Sequence, residues 1–269
     1  MIESYGVLNQ NQSQTEIELA KESLRLLGYA TLRSQISERE IDQIRVDSKK
    51  LASDYANEYS SMNLKDIGES NNFRAPLLKN KAFLKIALNE HLLDLVSQMI
   101  VGKYFLNQQN LVINPPSSNN YNQVKFHRDL PYQHYVSTRP LAINALLAVD
   151  DFTLENGTTV IVPASHKMEE CPSSELIERV GTRLEVKAGT FLILDCMTFH
   201  AAGVNVSSAE RIGINHVYTS LMFRPQIDFG VAIGDREKKE LSVEEREILG
   251  IDYPIPGGVA TFLSGRKRN

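Results

Sequence analysis

The stretch Gly102-Lys103-Tyr104-Phe105-Leu106-Asn107-Gln108-Gln109-Asn110-Leu111-Val112-Ile113-Asn114-Pro115-Pro116 marks a change of character in the 269-residue chain. Gly102 closes a helical pattern, residues 104–113 lean towards β structure, and Asn114-Pro115-Pro116-Ser117-Ser118 reads as a loop. Six further β-leaning runs follow, over residues 122–126, 141–149, 158–162, 183–186, 190–194 and 211–223. The breaks between them include Glu155-Asn156-Gly157 and Lys187-Ala188-Gly189, both turn chemistry. Short strands without long intervening helices predict a sandwich or barrel rather than an alternating βαβ fold.

Before Gly102 the chain reads as helical. Thr15-Glu16-Ile17-Glu18 fits a capping box, Ile17, Leu24 and Leu27 recur at helical spacing, and Gly28 is a natural stop. Ser37-Glu38-Arg39-Glu40 repeats the signature and opens a longer helix through Ile41, Ile44 and Leu51. Residues 81–100 read as a third helix, with Phe83, Leu84, Ala87, Leu88, Leu92, Leu95 and Met99 on one apolar stripe. Near the other end, Ser242-Val243-Glu244-Glu245 opens a short helix that Gly250 closes. The economical organisation is a single domain: a helical N-terminal flank over 1–103, a β core over 104–225 that carries the functional residues, and a C-terminal extension over 226–269.

Composition excludes several classes. The length and the 42% hydrophobic content permit a sizeable core. A formal net charge of -4 gives no basic field to recruit nucleic acid, and Arg266-Lys267-Arg268 reads as a solvated tail. The two cysteines, Cys171 and Cys196, form no paired motif, which favours a reducing cytoplasm over a disulfide framework. Met1-Ile2-Glu3-Ser4 lacks the features of a signal peptide, and no run of about 18 apolar residues reads as membrane-spanning. A soluble cytoplasmic protein without nucleic-acid or membrane partners is expected; these features set no oligomeric state.

The chemistry concentrates in few residues. His127-Arg128-Asp129 ends a β-leaning run, and alternation along a strand puts residues two apart on one face, so His127 and Asp129 converge. An imidazole and a carboxylate make two-thirds of a facial triad for Fe(II). His200, 73 residues further on at the end of Phe191-Leu192-Ile193-Leu194-Asp195-Cys196-Met197-Thr198-Phe199, is the candidate third ligand. Such a triad leaves open positions for a bidentate cosubstrate and dioxygen. Arg211 lies 11 residues beyond His200, where a hairpin returns it towards the metal and a guanidinium would clamp a carboxylate bidentately. The plain alternative for Arg211 is a surface residue paired with Glu210.

Residues from about 108 to 223 resemble the phytanoyl-CoA dioxygenase family of iron and 2-oxoglutarate oxygenases. The resemblance rests on His127-Arg128-Asp129, Asp150-Asp151, Glu155-Asn156-Gly157 and Val162-Pro163-Ala164-Ser165-His166-Lys167. It continues through Ala188-Gly189-Thr190, Asp195, His200, Gly203, Asn205 and Arg211, in the family's order and spacing. It implies a mainly β fold with flanking helices around a double-stranded β-helix, or jelly roll. It implies further that His127, Asp129 and His200 bind Fe(II), that Arg211 binds the C5 carboxylate of 2-oxoglutarate, and that Asn110 touches that cosubstrate. Two departures stand out. Ala202 occupies a position where many relatives carry a hydroxyl, and Asn144 and Leu146 occupy a region where many carry an aromatic residue. Asp129 fills the place that halogenating relatives leave to a small residue, so oxygen transfer is expected.

Other residues have two readings each. Tyr132 and His134 follow the triad motif in a loop that either faces substrate or lies on the surface, and Arg74 in Asn71-Asn72-Phe73-Arg74-Ala75-Pro76 is a candidate to reach over the pocket. His166 reads as a turn residue, His216 as a satisfied core histidine, Arg128 as a structural salt-bridge partner and His91 as a border residue of its helix. The expected reaction is hydroxylation of an unactivated C–H bond of a small polar or natural-product substrate, with succinate and carbon dioxide released. Desaturation, epoxidation or cyclisation would use the same triad. From a different class, a zinc-binding or non-catalytic barrel would also use two His and a carboxylate, but has no need of Arg211.

Overall fold

Thr15 sets the first helix. Its hydroxyl accepts the Glu18 amide while the Glu18 carboxylate takes the Thr15 amide, so two orphan donors are satisfied at once. In the computed structural model, which describes residues 4–117, 121–130 and 136–266, this cap opens α1 (Glu16–Leu27), and Gly28 ends it at φ 82°. Ser37 and Glu40 form the same box at the start of α2 (Glu38–Glu58), which buries Ile41, Ile44 and Leu51. The third expected helix is broken in two, α3 (Lys81–Ala87) and α4 (Glu90–Met99). Asn89 causes the break: its side-chain oxygen caps α4 by accepting the Leu92 amide, and its amide nitrogen reaches the Ser34 carbonyl at 2.7 Å. The apolar stripe survives the break, with Phe83, Leu84, Ala87, Leu92, Leu95 and Met99 all buried.

The strands are β1 (Tyr29–Arg33), β2 (Asn72–Arg74), β3 (Tyr104–Asn114), β4 (Ala142–Ala148), β5 (Thr159–Ile161), β6 (Thr182–Arg183), β7 (Thr190–Asp195), β8 (His200–Ala202) and β9 (Arg211–Ser220). Six form one sheet in the order β1-β7-β4-β9-β3-β2, and β6-β5-β8 form a second, all neighbours antiparallel. The result is the expected jelly roll with flanking helices. A short helix α5 (Ser174–Val180) precedes β6, and α6 (Phe229–Ala232), α7 (Asp235–Lys238), α8 (Val243–Ile248) and α9 (Val259–Gly265) follow β9. No helix among the described residues is long and apolar enough to cross a membrane.

Three features differ from expectation. The N-terminal part is not purely helical, because β1 and β2 add to the two edges of the larger sheet. Residues 122–126 do not form a strand: a 3-10 turn covers Asn122–Val124, and only His127 pairs, through a single bridge to His200. The run before His200 is likewise interrupted by a turn, so His200 opens β8 instead of ending β7.

Alternation sorts the larger sheet into two faces. Leu111, Ile113, Ala145, Leu147, Phe191, Ile193, Ile212 and Ile214 point towards the helices and pack with Leu24, Phe83, Leu92 and Leu95. Leu192, Leu194 and Ala148 point the other way and pack with Phe152, Ile161 and Val186. That second face carries the site.

His216 lies in the helix-side core, as a satisfied histidine. One ring nitrogen donates to Ala145 O at 3.0 Å and the other accepts from Gln109 Nε2 at 2.9 Å, so the imidazole is neutral. Burial pushes its pKa down to about 4, whereas an unfolded histidine titrates near about 6.5. Between those values the unfolded chain binds more protons, so stability present above about pH 6.5 is lost as the pH falls towards 4, at up to about 1.4 kcal/mol per unit. His216→Gln should flatten that slope in urea unfolding followed between about pH 6.5 and about pH 5. Equal slopes in the two proteins would show that His216 is not the group responsible.

Candidate metal centre

Backbone pairing assembles the candidate ligands. The His127 amide donates to His200 O at 2.9 Å and the His200 amide returns to His127 O at 3.1 Å, which sets the two imidazoles side by side, ring centroids 4.5 Å apart. The Asp129 amide donates to Cys196 O at 3.1 Å, so the third ligand is tied to the turn between β7 and β8. One ligand atom from each of His127, Asp129 and His200 lies within 4.8 Å of the other two. The convergence expected from a strand is therefore achieved by one bridge.

The hydrogen bonds behind the rings select their tautomers. His127 Nδ1 lies 2.7 Å from Lys125 O and His200 Nδ1 lies 3.0 Å from Thr198 O, so each Nδ1 carries the proton and each Nε2 lone pair faces inward. Burial, reinforced by neighbouring His127, lowers the His200 pKa against the opposing pull of Asp129, which favours the neutral form, the one able to bind a metal. Two imidazoles and one carboxylate on one side of a cavity suit Fe(II) with open positions, and the site fits that ion.

Arg211, the first residue of β9, is held at the same cavity by a corner of linked elements. Asn205 Nδ2 donates to Asn114 O at 3.0 Å and to Ala209 O at 2.8 Å, which shapes the loop from β8 to β9. Gly157, at φ 78°, packs so closely there that a Cβ would meet Gly203 O at 2.3 Å. Asp150 accepts the Ile212 amide at 2.8 Å and the Arg45 side chain at 2.6 Å. Arg211 itself is 4% exposed, so a surface pair with Glu210 is ruled out. Its guanidinium lies 4.2 Å over the Phe152 ring, and Nε and Nη1 have no acceptor among the described residues. Burial pulls its pKa down to about 10. A buried cation with unanswered donors calls for an anion, and the far carboxylate of a keto acid is one.

The cavity is lined by the triad and Arg211 together with Val112, Tyr121, Gln123, Asn144, Leu146, Thr159, Leu194, Ala202 and Asn215. Tyr121, Gln123 and Thr159 carried no signal in the sequence, because only the fold brings them to the metal side. Thr159 is directly opposite Ala202 on the paired strands, so it brings to the same wall the hydroxyl that position 202 lacks. Burial raises the Tyr121 pKa to about 12, with Arg211 pulling the other way.

The remaining candidates lie elsewhere. Asn110 is buried on β3 opposite Asn215, outside the cavity lining, where it accepts from Arg74 at 3.3 Å and donates to Gln108 at 3.0 Å. Arg74 is held by Glu69 at 2.5 Å and also donates to Gln226. Tyr132 and His134 lie outside the described residues. His166 packs against Gly28 in the turn formed by Ala164 and Ser165, consistent with a structural part. His91 is at the helix border, its Nδ1 2.8 Å from Arg33 O. Arg128 reads as a salt-bridge partner in the sequence; its guanidinium donates to the carbonyls of Met197, Glu169 and Met168 and stacks on Phe199.

Known proteins add to this geometry. The family model for phytanoyl-CoA dioxygenase matches residues 24–213, more than half of the chain. An uncharacterized protein of Mycobacterium tuberculosis is 27% identical over 243 residues, covering 89% of this chain and 88% of its own. An iron/alpha-ketoglutarate-dependent dioxygenase of Penicillium thymicola is 25% identical over 140 residues, covering 49% of this chain and 43% of its own. Among solved structures, EctD from S. alaskensis with 2-oxoglutarate and 5-hydroxyectoine matches with a TM-score of 0.67 over 82% of each chain, at 18% identity, a likeness of fold. The matched region contains every residue of the triad as well as Arg211, and the chain belongs to the phytanoyl-CoA dioxygenase family of non-haem iron, 2-oxoglutarate-dependent oxygenases.

Proposed function

We propose that His127, Asp129 and His200 hold the iron, that Arg211 grips the C5 carboxylate of 2-oxoglutarate, and that the enzyme hydroxylates an unactivated C–H bond of a small polar metabolite or natural-product intermediate. The observation that carries this reading is the buried Arg211 on the wall of the cavity that the triad lines, with Nε and Nη1 lacking an acceptor among the described residues. A zinc hydrolase or a binding barrel has no use for such a cation there, and burying it without an anion is costly.

Iron bound at the triad, with 2-oxoglutarate and dioxygen, supplies an oxidant strong enough for an unactivated C–H bond, and succinate and carbon dioxide leave. The protein's residues do the rest. Lys125 O and Thr198 O hold both imidazoles in the ligating tautomer. Arg211 fixes one end of the keto acid by a two-pronged hydrogen bond, with Phe152 supporting the guanidinium plane. Val112, Leu146 and Leu194 make the wall apolar where water must be excluded, while Thr159, Tyr121 and Gln123 offer polar contacts. The small, mixed cavity wall supports a small polar substrate.

Two outcomes test this reading. With Fe(II), ascorbate and air, the protein should form succinate from 2-oxoglutarate, and Asp129→Ala should reduce this to background. Arg211→Ala should weaken 2-oxoglutarate binding to the metal-loaded protein by about 3 kcal/mol, roughly 100-fold, since it strips a buried charge partner. Arg211→Lys should restore only part, because an ammonium cannot form the fork. Calorimetry gives the affinity. Absence of both iron-dependent succinate and 2-oxoglutarate binding in the unaltered protein would end the oxygenase assignment.

A further inference from the structure

Asn144 stands in the region where the family resemblance leads one to expect an aromatic residue. It sits on β4, the strand flanked by β7 and β9, paired with Leu194 on one side and Val217 on the other, so its backbone is held from both sides. Its side chain enters the metal cavity, and its Nδ2 donates to Asp129 Oδ2 at 2.6 Å. That oxygen is also the one 3.8 Å from His200 Nε2. The other end of the amide is different: Asn144 is 3% exposed and its Oδ1 has no donor among the described residues. A buried carbonyl without a partner costs stability, so what this side chain contributes is its donor end, the bond to Asp129.

We propose that Asn144 is a positioning residue that fixes the carboxylate of Asp129 for the metal. A single charge-assisted hydrogen bond to one oxygen stops the carboxylate rotating about its Cβ–Cγ bond and holds it towards the two imidazoles. This inference rests on the reading that the triad holds a metal.

The test uses Co(II) as the probe, bound to the full chain without other ligands, with affinity from calorimetry and site geometry from the visible spectrum. Asn144→Leu should weaken Co(II) binding by roughly 10- to 100-fold and alter the spectrum, with the metal-free variant still folded and melting in one cooperative transition. Asn144→Gln, which keeps the donor on a longer arm, should recover part of the lost affinity. Unchanged affinity and spectrum in Asn144→Leu would overturn the proposal. So would an Asn144→Gln protein that binds no better than Asn144→Leu. If the unaltered protein binds no Co(II), the metal reading itself fails, a result distinct from either of these.

Discussion

Two backbone hydrogen bonds between His127 and His200 decide the geometry of the site. They join a segment that is otherwise turn to the first residue of a three-residue strand, and the smaller sheet then extends from that strand through β5 to β6. Because the bonds are reciprocal, neither imidazole can shift along the chain without breaking both. The Asp129 amide adds a third tie to Cys196 O. The candidate metal ligands are therefore placed by main-chain pairing, whose register is fixed residue by residue.

A second constraint is electrostatic. The larger sheet places Arg211 in the cavity wall, where desolvation works against its charge and no carboxylate among the described residues forms an ion pair with it. Asp150 is nearby, yet its oxygens are spent on the Ile212 amide and on Arg45. The fold thus carries a buried cation without a close anionic partner among the described residues, with Phe152 against the guanidinium plane and the Asn205-centred loop beside it. On the opposite face of the same sheet, His216 shows the contrasting solution, a buried imidazole kept neutral and bonded at both nitrogens.

Much of this was legible in the sequence, for reasons that differ by element. Capping boxes at Thr15, Ser37 and Ser242 are local, so their helices were readable from four residues each. The His-x-Asp motif, His200 and Arg211 were readable because their order and spacing follow a family pattern. Asn89 was hidden because its capping role depends on a tertiary contact with Ser34 O that supports the helix break. The strands β1 and β2 were missed because each is short and sits at a sheet edge among helices, where alternation has few residues to act on. Thr159 and Asn144 acquire their place only through register: Thr159 opposite Ala202, and Asn144 on the face that meets Asp129.

The most direct measurement is a crystal structure of the anaerobically loaded Fe(II) and 2-oxoglutarate complex, with anomalous diffraction collected at the iron edge. A single iron peak is predicted, at roughly 2 Å from His127 Nε2, His200 Nε2 and an Asp129 oxygen, with the far carboxylate of 2-oxoglutarate on one edge of the Arg211 guanidinium. An iron peak away from these three residues, or a cosubstrate whose carboxylates leave Arg211 unpaired, would contradict the assignment.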